Sequence, residues 1–399
     1  MHLRVPRAFA VFAATALLLP AVAACQPAAP AAQPTTAPTT AAAKPTTAAA
    51  ASPATAASPA ASPAASPAAS PAASPAASPA ASPSPAASPS PVAAAQPTPL
   101  PKPQAPPAPT GDQKGSTSNP ITMAFVPSAD STKVLASGEP LAKLLSDATN
   151  LNFKVSVPTS YTAVIEGMGS NQVDVGWLAP FAYVLARDKN NSQVILSSLR
   201  QGSKNYRSQI IVRADSGIEN LDQLKGKKFA FVEPASASGF LFPNALLASK
   251  GIDYKTFFSD TLFAGGHDKV VTAVYNKQVD GGATFGNSID TGPPTDARTL
   301  VTNILPDVMT AVKPIAQTDP IPNDTVSVRA GLDDNTVKLI RDGLLYVQST
   351  PDGKKALRDL YNIDGLAIAD DKDYDSIRSA AKALNLDLEE QIAPPKPKS

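Results

Sequence analysis

The stretch Ser236-Ala237-Ser238-Gly239 has the residue types and spacing to bind an anion. It follows an apolar, β-prone run, 229–232, that stops at Glu233-Pro234, and it leads into a helical pattern reaching Gly251. Strand, small-residue turn and helix N-terminus in this order leave several backbone N–H groups unpaired. They also aim the positive end of a helix dipole at one point, which suits a phosphate-like oxyanion. The serine hydroxyls add donors without bulk, although Ser236 or Ser238 alone would serve equally well as a helix cap. Further donors elsewhere in the chain decide between the two. His267 sits in a Gly265-Gly266 turn ahead of a helix, Tyr161 and Tyr206 offer phenolic hydroxyls, and Asp324 follows Pro322-Asn323 as either an Asx turn or a pocket acceptor. A buried dianion is tolerable only when donors saturate its oxygens. Two serines, a helix N-terminus, two tyrosines and one imidazole supply enough of them without an arginine.

The elements that must position these residues read as α/β. Strand patterns at 121–126, 152–157 and 173–178 alternate with helical patterns around 140–149, from Tyr161 to 168 and at 180–187. At 193–199 and 208–212 strand follows strand with little between, as where a chain crosses from one lobe to another. Strands at 256–263 and 279–283 and a helix at 269–276 extend the second unit, and a strand at 309–315 is expected to return to the first. Amphipathic helices are expected at 336–347, 354–361 and 374–384.

Composition divides the 399 residues into two regimes, since most of the 42 prolines precede residue 120. Residues 1–25 have signal-peptide organisation: Arg4 and Arg7, an apolar stretch too short to span a bilayer, then Val22-Ala23-Ala24-Cys25, which resembles a bacterial lipobox. Residues 26–118 are Ala, Pro, Ser and Thr with an SPAA quasi-repeat, a tether reaching roughly 50 to 280 Å. Residues 119–393 are the folded part, with lobe one about 119–208 and 316–393 and lobe two about 209–315. A net charge of +1 from 34 basic and 33 acidic residues argues against nucleic acid as a partner. Cys25 is the only cysteine, and His2 and His267 the only histidines, so neither a metal centre nor a cofactor is implied.

Several ordered segments then carry a resemblance. These are Tyr161 with Ile165-Glu166-Gly167-Met168, Val173-Asp174 through Tyr183, Tyr206-Arg207-Ser208, Asp215-Ser216-Gly217-Ile218, Ser236-Ala237-Ser238-Gly239, Gly266-His267-Asp268 and Pro322-Asn323-Asp324. In this order the chain from about 120 to 390 resembles the phosphate, phosphite and phosphonate substrate-binding proteins of ABC importers. The resemblance implies a type II periplasmic-binding-protein fold, two α/β lobes joined by two crossing strands with the ligand closed between them. It implies a ligand site of Tyr161, Tyr206, Ser236, Ala237, Ser238, His267 and Asp324, and a small phosphorus oxyanion (phosphite, phosphonate or phosphate) as ligand. An ABC permease is the implied partner. A monomer is expected, anchored to the outer face of the bacterial cell membrane through lipidated Cys25.

Two departures bear on the ligand. Ala237 stands where the family commonly has threonine, so the turn is expected to bind through its backbone and two flanking serines. Relatives that take aminoalkylphosphonates place a glutamate where this chain has Phe285-Gly286-Asn287, which favours phosphite, methylphosphonate or phosphate. Two other classes are a surface-tethered sensor or stalk and a secreted Ser/His hydrolase. The hydrolase is disfavoured because G-x-S-x-G and H-E-x-x-H are both missing from the sequence.

Overall fold

Among the described residues, apolar runs bounded by turn residues give thirteen strands, which wind into two principal sheets. The computed structural model describes residues 99–288 and 293–387. The signal-peptide and lipobox expectation, with Cys25, and residues 26–98 of the expected tether lie outside the described residues.

Lobe one opens with β1 (Ile121–Phe125), α1 (Ser131–Thr149), β2 (Phe153–Ser156), α2 (Tyr161–Gly169), β3 (Val175–Leu178), α3 (Pro180–Asn190) and β4 (Gln193–Leu199). The chain crosses through β5 (Asn205–Tyr206) into lobe two. That lobe holds β6 (Ser208–Arg213), β7 (Lys228–Phe231), α4 (Phe242–Ser249), α5 (Tyr254–Phe257), β8 (Asp260–Phe263), α6 (His267–Tyr275), β9 (Gly281–Phe285), α7 (Val308–Ala311) and β10 (Val312–Gln317). It returns through β11 (Ile321–Pro322), and β12 (Thr325–Val328), α8 (Asp334–Val347), α9 (Pro351–Tyr361), β13 (Gly365–Ile368) and α10 (Asp375–Ala383) complete lobe one.

The first sheet runs β13-β4-β12-β3-β1-β2 and the second β10-β6-β9-β7-β8, while β5 and β11 pair by themselves where the chain crosses, with Ile321 opposite Tyr206. Parallel pairing of β1 with β2 and β3, and of β7 with β8 and β9, sets the C-terminal ends of these strands side by side. Ligands of open α/β sheets bind outside such ends. Each lobe has its own core: Ile121, Phe125, Leu145, Trp177 and Leu344 in one, Val270, Val274, Val308 and Val312 in the other. A further apolar cluster crosses between them and joins Phe181, Tyr183 and Ile377 of lobe one to Ala235, Ala237, Leu241 and Phe242 of lobe two.

Several expectations need correction, among them the strand expected over 256–263, of which residues 256–257 close the short α5 and only 260–263 form β8. The residues expected to carry the chain back to lobe one, 309–315, instead form the short α7 and then β10, which pairs antiparallel with β6 and stays in lobe two. Helix α1 starts at Ser131 instead of around 140, because Asp130 caps it by accepting from the Lys133 N–H, and Pro140 sits inside it. Proline marks a helix start only where the residues before it cannot already be helical.

Residues 100–118, assigned to the tether by composition, make the contacts of a folded segment. The Leu100 N–H donates to Ser349 Oγ, Asn150 Nδ2 donates to the Pro106 carbonyl, and Gly115 and Asn152 exchange backbone bonds with their neighbours. Lys114 reaches Asp174, whose carboxylate is fully buried; it lies 2.7 Å from Lys114 Nζ and 2.9 Å from Arg329 Nε, and accepts from the Thr122 N–H at 2.8 Å. Removing the charge from such a carboxylate strands two cations that are themselves largely withdrawn from water. Asp174→Asn is therefore expected to lower the unfolding free energy by about 3 kcal/mol in urea denaturation, with a matching loss when the chain starts at residue 119. Unchanged midpoints for both would show that the segment does not stabilise lobe one.

Candidate functional site

The turn after β7 is built on one close approach. A Cβ at Gly239 would lie 2.4 Å from the Val232 side chain, so only glycine lets the chain fold back here, and the Val232 N–H donates to the Gly239 carbonyl at 3.1 Å. The next turn is of π geometry over Ala237–Leu241: the N–H of Leu241 bonds back to Ser236 O and that of Phe242 to Ala237 O. Single π turns of this kind recur at functional sites. Ser236 Oγ accepts from the Gly239 N–H at 3.0 Å and so does cap the helix, which leaves its own O–H free to donate. Ser208 Oγ fixes the turn from below by donating to the Ser238 carbonyl at 2.6 Å.

His267 is the first residue of α6 and is 96% withdrawn from solvent, at 4% exposure. The Phe285 N–H points at its Nδ1 (3.3 Å), and Thr284 Oγ1 lies 2.7 Å from the same nitrogen. A backbone N–H can only donate, so Nδ1 accepts and the ring proton is on Nε2, which makes the imidazole a donor towards the cleft. Burial pushes its pKa down from 6.5 to about 3, so it is neutral. Its backbone N–H donates to the Ser128 carbonyl at 2.9 Å, a hydrogen bond from lobe two to lobe one.

The two lobes enclose a cavity of about 450 Å³. Its walls include Tyr161, Tyr206, Ser236, Ser238, His267 and Asp324, so six of the seven expected residues come together from both lobes and the crossing. Ala237 is the exception: its methyl group is fully buried in the apolar cluster between the lobes and does not line the cavity. Burial holds the hydroxyls of Tyr161 and Tyr206 protonated, and the nearby Asp324 adds to the effect, so both remain neutral donors.

Sequence reasoning missed Arg200. Its Nη2 lies 2.6 Å from Asp324 Oδ2, Nε donates to the Tyr361 carbonyl, and Nη1 reaches Ser198 Oγ and Asn323 Oδ1. Asp324 is therefore paired through Oδ2 in the cleft wall. Tyr361 and Ser128 also line the cavity, as does Trp177, whose buried indole Nε1 has no protein acceptor. Ser208 and Thr284 were missed because hydroxyl residues inside β-strands read as ordinary core. Only their register on β6 and β9 brings Ser208 under the turn and Thr284 behind His267.

A family model described as the phosphonate periplasmic substrate-binding protein of ABC transporters matches residues 123–374. The chain belongs to this family. Among its relatives, a phosphate-import protein PhnD of Mycolicibacterium smegmatis is 34% identical over 43% of this chain and 56% of its own length. The phosphonates-binding periplasmic protein of Escherichia coli is 31% identical over 50% of this chain and 58% of its own. The chain thus matches somewhat over half the length of each of these relatives. A binding-protein component of an ABC phosphonate transporter from Pseudomonas aeruginosa superimposes with a TM-score of 0.59 at 25% identity, covering 68% of this chain and 91% of that one. PhnD1 of Prochlorococcus marinus in complex with methylphosphonate gives 0.58 at 21% identity, covering 66% and 98%. The folds agree: two α/β lobes of the type II periplasmic binding class.

A buried and a half-buried group set opposite pH slopes in this family member. His267, with its pKa lowered from 6.5 to about 3, contributes stability that is present above 6.5 and is lost as pH falls towards 3. Glu233, just before the turn, is pushed by burial from 4.5 up to about 7 against the opposing charge of Lys269, so its contribution is full below 4.5 and is lost as pH rises through 7. Glu233→Gln should steepen the acid fall of Tm between 4.5 and 6.5, and His267→Asn should flatten it. The imidazole signal of His267 should show no titration between about pH 5 and 8 by NMR; a midpoint near 6.5 would sink this account.

Proposed function

We propose that this protein captures a phosphorus oxyanion in the cleft between its lobes, outside the cytoplasm, and delivers it to an ABC importer without chemical turnover. One observation carries the reading: neutral donors from both lobes and from the crossing line one enclosed cavity, with His267 fixed as an Nε2–H donor. Tyr161 and Tyr206 donate from lobe one and the crossing, while Ser236, Ser238 and the first N–H groups of the turn, Ala237 among them, donate from lobe two. Donors of this kind replace the water lost by a buried dianion. The relatives named for phosphate import and for phosphonates support the ligand class.

The lipobox resemblance at Cys25 supports anchorage of a monomer to the outer face of the cell membrane by a lipidated N-terminus. The proline-rich residues that follow would hold the binding domain away from the bilayer.

Calorimetry tests the binding site. Phosphate or methylphosphonate is expected to bind one to one and to raise Tm. Tyr206→Phe and Ser238→Ala should each weaken binding about 10- to 100-fold, the loss expected for one hydrogen bond to a charged ligand. Unaltered affinity in both variants would displace the site, and phosphoester hydrolysis abolished by Ser238→Ala would overturn the binding-only reading. Cys25→Ser should release the protein from membranes into the soluble fraction; retention of the variant on membranes would refute the lipid anchor.

A further inference from the structure

Past the end of α10 the chain runs from lobe one onto lobe two. In Leu384-Asn385-Leu386-Asp387 apolar and polar residues alternate, with the two leucines half-buried and Asn385 and Asp387 exposed. Leu386 packs both on the apolar cluster that crosses between the lobes and on a separate cluster of lobe two that holds Ile210, Leu221 and Leu247. The second cluster borders a groove of about 390 Å³, whose lining includes Leu221, Leu246, Ile315 and Ala316 together with the exposed Asp222 and Lys250. Ile315 and Ala316 belong to β10, an edge strand of its sheet. Native proteins commonly cover such edges with a further piece of chain.

Helix α4 links the place where Leu386 packs to the groove. Phe242, Leu246 and the C-cap Lys250 follow at i, i+4 and i+8 along one stripe. Phe242 belongs to the cluster between the lobes with Ile377 and Ala381 of α10, whereas Leu246 and Lys250 line the groove. The stripe is about 12 Å long, and residues 388–392 in extended form span about 16 Å. Their sequence suits the path. Continuing the alternation puts Leu388 on the side of Leu384 and Leu386, and Glu389-Glu390 follows. Lys250 makes no ion pair among the described residues, so it can receive one of these glutamates, while Asp222 repels them and favours the register that sets them by Lys250. We propose that residues 388–392 lie in this groove of their own molecule, Leu388 against the apolar wall, and strap lobe two to the last helix of lobe one.

Cysteine trapping in the full-length chain tests the occupant. With Cys25→Ser as background, introduced cysteines are the only ones present. Leu388→Cys combined with Ile315→Cys or with Leu246→Cys is expected to give a disulfide within one chain under mild oxidation, and Lys398→Cys with the same partners to give much less. Disulfide-linked dimers would assign the groove to a second copy, and the absence of any disulfide from both Leu388→Cys pairs would empty it of the tail; either result overturns the strap. Hydrogen exchange gives a reading that needs no new cysteine. Ending the chain after Asp387 should speed exchange of the backbone N–H groups at 246–250 and 315–317 at least about tenfold, the protection expected from burying one leucine. Leu388→Asp should act in the same way, and it serves should the shortened chain fail to fold. Unchanged exchange at both segments would overturn the proposal.

Discussion

The cleft depends on the contact of Gly239 with Val232. With no side chain at 239 the backbone folds back onto the end of β7, and the wide turn that follows presents Ser236 and Ser238 at the lobe boundary while Ala237 points into apolar packing. Any larger residue at 239 would push the turn away from the strand. The support beneath is equally local: β6 and β9, neighbours in the second sheet, supply the hydroxyls that hold the Ser238 carbonyl and the His267 ring. One pair of strands thus holds both the Ser-Ala-Ser-Gly turn and the His267 ring in place.

The electrostatic design relies on neutral donors. The tyrosines are held protonated and the imidazole unprotonated, all by burial, so the groups facing the cavity change little with pH. The one guanidinium in the wall that touches a carboxylate of the wall is committed to it, and it is further held by Tyr361, Ser198 and Asn323. A pair held this way acts as a rigid polar wall more than as a source of field. In the proposed site, discrimination would come from which ligand atoms find donors and which do not.

Much of the candidate site was legible because its residues lie at element ends, where side-chain type and backbone geometry coincide. The Ser-Ala-Ser-Gly turn, His267 at a helix start and Tyr161 after its Ser160 cap are of this kind. What escaped was long-range. Arg200 meets Asp324 from 124 positions away, and nothing in either segment announces the pairing. β12 and β13 were also missed: TVSV and GLAI are short, and their place in the first sheet is fixed by antiparallel neighbours, not by local pattern. Composition misled once as well. Proline-rich residues 100–118 read as tether, yet a single lysine among them finds a buried carboxylate.

That attachment has a mechanical consequence. The hydrogen bonds and ion pairs described between residues 100–118 and the rest of the domain, through Ser349, Asn150, Asn152 and Asp174, all go to lobe one. Whatever holds the chain ahead of residue 99 therefore holds lobe one, and any pull along it bypasses the crossing strands and enters the first sheet directly. Lobe two is coupled to the attached lobe only at second hand, through the crossing segments, the apolar cluster between the lobes and the His267 to Ser128 bond.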